Sequence, residues 1–145
     1  MSERLRAIVA LGNPGADHAG DRHNAGFWFI DRLAERWRAS FSSEKKFKGD
    51  LARAGRGDDT VWLLKPMTFM NASGQAIQPL AAFHKIEPAE ILVVHDELDL
   101  GPGTARLKDG GGHGGHNGLR DTHRVIGSGY RRLRIGIGHP GNSAG

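Results

Sequence analysis

The run ILVVH at residues 91–95, continued by DELD, most constrains how this chain folds. Five consecutive positions with almost no polar relief suit a strand buried on both faces, at the centre of a sheet covered from both sides. LRAIVAL (5–11) also reads as a buried strand, and 48–54, TVWLLK (60–65), TARLK (104–108) and RRLRIGI (131–137) are further strand candidates. Between the first strand and the next comes a different period. Gly26, Phe29, Ile30, Leu33, Ala34 and Trp37 recur at helical spacing and predict a helix running to about Arg38. A second helix is expected over about 72–85, capped by Asn71, and a short third one capped by Asn117 and stopped by Gly127. ASFSSEKKFKGD reads as a loop, and GRGDD as a turn. Strands alternating with helices predict an α/β fold: one domain with a central mixed, mostly parallel sheet and helices on both faces.

Ligands of such sheets collect beyond the carboxyl ends of the strands. Four polar positions meet that description: Asn13 after the first strand, His23 entering the first helix, Asn71 after LLKPMTFM, and Asp96 ending ILVVHD. The 145 residues contain no cysteine, which excludes disulfides, thiolate zinc sites and a cysteine nucleophile. The first apolar run is far too short for a signal peptide or a membrane span, so a cytoplasmic protein is expected. A formal charge of +4 and a pI near 9.9 mildly favour an anionic partner.

GGGHGGHNG (110–118) carries six glycines around two histidines. A solvent turn needs one or two, so this density indicates backbone that another molecule approaches closely. The loop matches G-x-G-x-x-G at Gly110, Gly112 and Gly115, but it comes late in the chain. No acidic residue stands about twenty positions on, where a dinucleotide site has one. His113 and His116 have H-x-x-H spacing, and a zinc site would need further ligands such as His95, Asp96 or His139. There is no G-x-S-x-G elbow, and Ser73 in NASGQ suits helix-terminal hydrogen bonding. Histidine with a carboxylate remains: Asp96 orienting His23 so that it takes a proton from water. Taken alone, the same two residues also read as a structural histidine and an ordinary polar strand end.

LGNPG, DRHNAGFWFIDRLA, FMNASG, HDELDL, GGGHGGHNGLRD and RLRIGIGHPG, in this order, resemble the bacterial peptidyl-tRNA hydrolase family across almost the whole chain. The resemblance implies a single α/β domain that cuts the ester between a peptide and the terminal ribose of tRNA, with no metal or organic cofactor. It implies His23 as the catalytic base, Asp96 as the residue that keeps it competent, and Asn13 as the residue that helps tell blocked from free aminoacyl ends. Phe69, Asn71 and Asn117 resemble substrate-binding positions, with Met70 and His116 lining the cleft. Lys108 and Arg134 resemble a pair that grips the tRNA's terminal phosphate. The expected partner is peptidyl-tRNA, met by a monomer away from membranes. The family has tyrosine where His18 stands, and it continues through further strand and helix after GHPG, so residues 1–145 are expected to form one domain lacking that C-terminal segment. The rival readings are a catalytically inactive RNA-binding module on this fold, and a metal-dependent hydrolase using His113 and His116.

Overall fold

The computed structural model describes residues 4–12, 24–97, 100–114 and 116–136. Asn13, His18, His23 and His139 lie outside them. The strands are β1 (Ala7–Ala10), β2 (Ser42–Glu44), β3 (Gly49–Ala54), β4 (Val61–Pro66), β5 (Ile91–Glu97), β6 (Ala105–Asp109) and β7 (Arg131–Gly136). They form one sheet in the order β2-β3-β4-β1-β5-β7-β6. The inner strands β4, β1, β5 and β7 run parallel, with Ala7 opposite both Trp62 and Ile91, and Val94 opposite Leu133. The outer pairings β2–β3, β3–β4 and β6–β7 are antiparallel. The mixed α/β sheet with a parallel core is therefore as the sequence predicts.

Pleating divides the core. Val9, Leu11, Leu64 and Val93 meet Ile77 and Leu80 of helix α2 (Gly74–His84) and Leu119 of helix α3 (Asn117–Ile126). Ile8, Ala10, Leu63, Leu92 and Val94 meet Ile30 and Ala34 of helix α1 (Ala25–Arg36) on the opposite face. β1, β4 and β5 thus bury alternate residues against different helices, which explains their apolar runs. Together the parallel strands and their covering helices leave the carboxyl ends of β1, β5 and β7 as one edge where polar side chains converge.

Three local expectations are corrected. The segment read as a loop contains β2, an exposed edge strand paired through Ser42↔Leu51, and a one-turn 3-10 helix ending at the left-handed Lys48. Its composition is polar because neither face is covered, so strand pairing rather than periodicity defines it. Asn71 does not cap α2: it sits in a 3-10 turn, Met70–Ala72, and the helix begins at Gly74. Nor does Asn117 cap α3. The cap is His116, whose Nδ1 accepts from the backbone N–H of Gly118 (3.1 Å) and Leu119 (3.3 Å). Gly127 ends that helix as expected, with φ at +77°.

Candidate active site

Asp96 ends the buried stretch of β5 and is only 4% exposed. Its Oδ1 lies 2.8 Å from Nε2 of His116. The two bonds of the imidazole fix its tautomer. Nδ1 accepts from the first turn of α3, so it carries a lone pair, and the ring proton sits on Nε2, which donates to the carboxylate. His116 therefore joins the start of α3 to the end of β5. It also has no lone pair left for a metal ion, while the His113 ring packs 5.7 Å from His123 instead. Among the described residues, no three histidine or acidic side chains cluster as a metal site would require.

His95 stands behind this pair. It is 1% exposed, with its ring centroid 5.2 Å from that of His116. Burial, reinforced by the neighbouring His116 and Arg132 and opposed by Asp96, lowers its pKa to about 3. The ring is therefore neutral at pH 7, and Nδ1–H donates to the backbone carbonyl of Asp96 at 2.8 Å. This bond ties the ring to the Asp96 backbone, and the neutral ring adds no positive charge beside the carboxylate.

The glycine loop closes one side of the site. Gly110, Gly111 and Gly114 have φ of +61°, +91° and +58°, a region that other residues adopt at a cost. A Cβ on Gly111 would come within 2.7 Å of Lys108 Cε and 3.2 Å of Arg132 Nη2. The loop lies against the cationic wall of β6 and β7. Arg132 is 3% exposed and donates Nη1–H to the Gly112 carbonyl at 2.7 Å. Lys108, Arg132 and Arg134 share a cavity of about 190 Å³ with His95, Asp96, His116 and the loop. Glu97 approaches Arg134 Nη1 at 3.9 Å, so this wall is not purely cationic.

On the other side of the α3 N-terminus lies a second polar cleft of about 470 Å³, lined by Asn71, Asn117, Arg120, Asp121 and Arg124. Met70 bridges towards it: a Cβ on Gly118 would sit 2.7 Å from Met70 Sδ, so the Met70–Ala72 turn packs on the first turn of α3. Phe69, just before that turn, is 82% exposed. An apolar cleft of about 760 Å³ between α1 and the β6–β7 edge is walled by Trp28, Phe29 and Ile135, with Arg32 as its one ionisable lining residue among the described residues.

The structure thus gathers Asp96, His116, Lys108 and Arg134 around one cavity and puts Asn71 and Asn117 on the adjoining cleft, while Asn13 and His23 fall outside the described residues. Sequence reasoning offered His95 only as a possible further zinc ligand and assigned no role to Arg132, Arg120 or Asp121. Strand alternation was the available signal for Arg132: residues 132 and 134 share a face of β7, and Arg131 faces away.

Fold and site together define an α/β protein with a histidine–carboxylate centre set between a cationic pocket and an amide-lined cleft, an arrangement suited to an anionic substrate. A family profile described as peptidyl-tRNA hydrolase matches residues 7–145, and the chain belongs to that family. It is 59% identical over 143 residues to a peptidyl-tRNA hydrolase of Neisseria gonorrhoeae (strain ATCC 700825 / FA 1090), covering 98% of this chain and 74% of the relative. Identity to one from Xanthomonas campestris pv. campestris (strain 8004) is 61% over 139 residues, covering 95% and 72%. The crystal structure of peptidyl-tRNA hydrolase from Acinetobacter baumannii superposes with a TM-score of 0.91 at 51% identity, covering 99% of this chain and 74% of that one.

Proposed function

We propose that this chain releases tRNA from peptidyl-tRNA by hydrolysing the ester between the peptide, or an N-blocked amino acid, and the 3′ ribose. The family match over residues 7–145 carries the activity. The mechanism follows from the motif resemblance, with Asp96 at the end of β5 as its described part. His23 takes a proton from water, the water oxygen attacks the ester carbonyl, and the tetrahedral intermediate collapses with release of the ribose hydroxyl. Asp96 orients His23 and stabilises its protonated form. One oxygen of this carboxylate already accepts from His116, which holds the group in a fixed orientation. His23 immediately precedes Asn24 in the chain, and Asn24 is buried against the end of β1, where a Cβ on Gly12 would lie 3.0 Å from its Oδ1.

Asn71 donates to the developing oxyanion, and Asn117 with Phe69 and Met70 holds the peptide and the terminal nucleotide. Asn13 hydrogen-bonds the neutral amide of a blocked substrate. A free amino group brings a positive charge that must be desolvated without a dedicated acidic partner, since Asp96 and Asp121 already accept hydrogen bonds within the protein, so free aminoacyl-tRNA is disfavoured. Lys108 and Arg134 take the terminal phosphate of the tRNA, the role their shared cavity suits. The reaction uses no metal or organic cofactor. The protein acts as a monomer in the cytoplasm, with residues 1–145 folding as a single domain. Among the described residues no helix is long and apolar enough to cross a membrane.

The test compares N-acetyl-aminoacyl-tRNA with the same tRNA unacetylated, with and without chelator. Fast, chelator-resistant release from the acetylated substrate alone is expected, and His23→Asn should slow it about 10²–10⁴-fold while tRNA binding persists. Equal cleavage of both substrates refutes the role of Asn13. Binding without release identifies an RNA-binding module instead.

A further inference from the structure

Helix α2 begins without a cap of its own. Ser73, its N-cap residue, has helical backbone angles and makes no capping bond; its hydroxyl donates to the Met70 carbonyl at 2.7 Å. The first N–H of the helix, on Gly74, is buried and is accepted instead by Oδ2 of Asp121, at 2.7 Å, from helix α3. The other oxygen, Oδ1, accepts from Arg124 Nε (3.0 Å) and Nη2 (2.8 Å). Asp121 itself is 8% exposed. The helices meet closely here: a Cβ on Gly74 would lie 2.5 Å from Val125 Cγ2 and 2.7 Å from the Asp121 carbonyl oxygen. One carboxylate thus caps one helix from another, with its negative charge at the positive end of α2.

The consequence reaches the cleft. Asn71 sits in the turn immediately before α2, and Asn117 opens α3, four residues before Asp121. The distance between these two amides is therefore set by how α2 and α3 are joined. Asp121 is the hydrogen-bonded joint, and it also holds the Arg124 guanidinium on the wall of the same cleft.

We propose that Asp121 is a positioning residue for peptidyl-tRNA hydrolysis, fixing the Asn71 turn against the Asn117 end of α3 by capping α2 from the neighbouring helix. This rests on the reading that Asn71 and Asn117 contact substrate. Asp121→Asn keeps an oxygen acceptor for the Gly74 N–H, whereas Asp121→Ala leaves that buried donor unsatisfied.

Steady-state kinetics with N-acetyl-aminoacyl-tRNA test the assignment, using Asp121→Ala, Asp121→Asn, Asn71→Ala, Asn117→Ala and the double variant Asn71→Ala/Asp121→Ala. Asp121→Ala is expected to lower kcat/KM roughly 10–100-fold, as misplacement of a contact by about an ångström does, with an unchanged pH profile. Asp121→Asn should restore activity to within about threefold. Asp121→Ala should slow the Asn71→Ala enzyme by at least about threefold less than it slows the parent, because the main group that the joint positions is already gone and only Phe69 and Met70 of that turn remain. Multiplicative losses in the double variant, or full activity of Asp121→Ala, overturn the proposal. If Asp121→Ala does not fold, an Asp121→Asn enzyme that is folded yet as slow as Asn71→Ala overturns it too, and one with near-parental kinetics supports it. If Asn71→Ala and Asn117→Ala both retain parental kinetics, the substrate-contact reading fails first, and the two failures are thereby told apart.

Discussion

Replacing His116 separates two jobs that one imidazole performs. Its Nδ1 caps α3, and its Nε2–H donates to Asp96. Removing a good cap costs about 1 kcal/mol, and losing a hydrogen bond to a charged group costs about 1.5–3 kcal/mol. His116→Ala removes both and should destabilise the fold by about 2.5–4 kcal/mol. His116→Asn retains a strong cap but is too short to reach the carboxylate, so it should cost only the second amount. The difference between the variants isolates the cap, at about 1 kcal/mol. Urea denaturation followed by far-UV circular dichroism measures both. At about 2–4 °C per kcal/mol for a chain near this size, the alanine variant should melt roughly 5–16 °C below the parent. Equal stabilities for the two variants would refute the cap. Parental stability for both would refute the Asp96–His116 bond as a contributor to the fold.

Burial of neutral His95 gives the fold an acid sensitivity. Its folded pKa of about 3 lies below the ordinary value of 6.5, so between these the unfolded chain binds a proton that the native protein excludes. Stability is fully present above pH 6.5 and falls on acidification at up to about 1.4 kcal/mol per pH unit, levelling off near pH 3. Denaturation midpoints of the parent and His95→Gln across that range check this, since the variant should lose that part of the slope. Lys108→Ala and Arg134→Ala should each reduce the slope of log affinity for tRNA against log salt by about 0.7–0.9, and salt titrations that superimpose on the parent's would remove the phosphate assignment.

The sequence by itself determined the features that depend on neighbours along the chain. Alternating burial of β1 and β5 against helices on both faces demands apolar residues at every position, and this is why LRAIVAL and ILVVH are legible as inner strands. The 3.6-residue period of α1 follows from its single buried stripe, and the stop at Gly127 follows from a left-handed backbone that glycine adopts without cost. The order of strands and helices then implies that Asp96 lies at the ligand-bearing edge, and the motif resemblance supplies the chemistry expected there.

Only the tertiary structure decided the interactions between residues distant in sequence. β2 is a strand because β3 pairs with it, not because its polar composition favours one. The caps expected of Asn71 and Asn117 follow local propensity, yet the α2 terminus is satisfied by Asp121, 47 residues away, and His116 wins the α3 cap because Asp96, 20 residues earlier, fixes its ring. The same holds for charge. RRLR reads as one basic run, but the pleat buries Arg132 against the glycine loop and turns Arg131 to the other face. His95 is neutral because of what surrounds it in three dimensions. Backbone periodicity is a local property of the chain, whereas hydrogen-bond partners and dielectric surroundings exist only once distant segments have packed together.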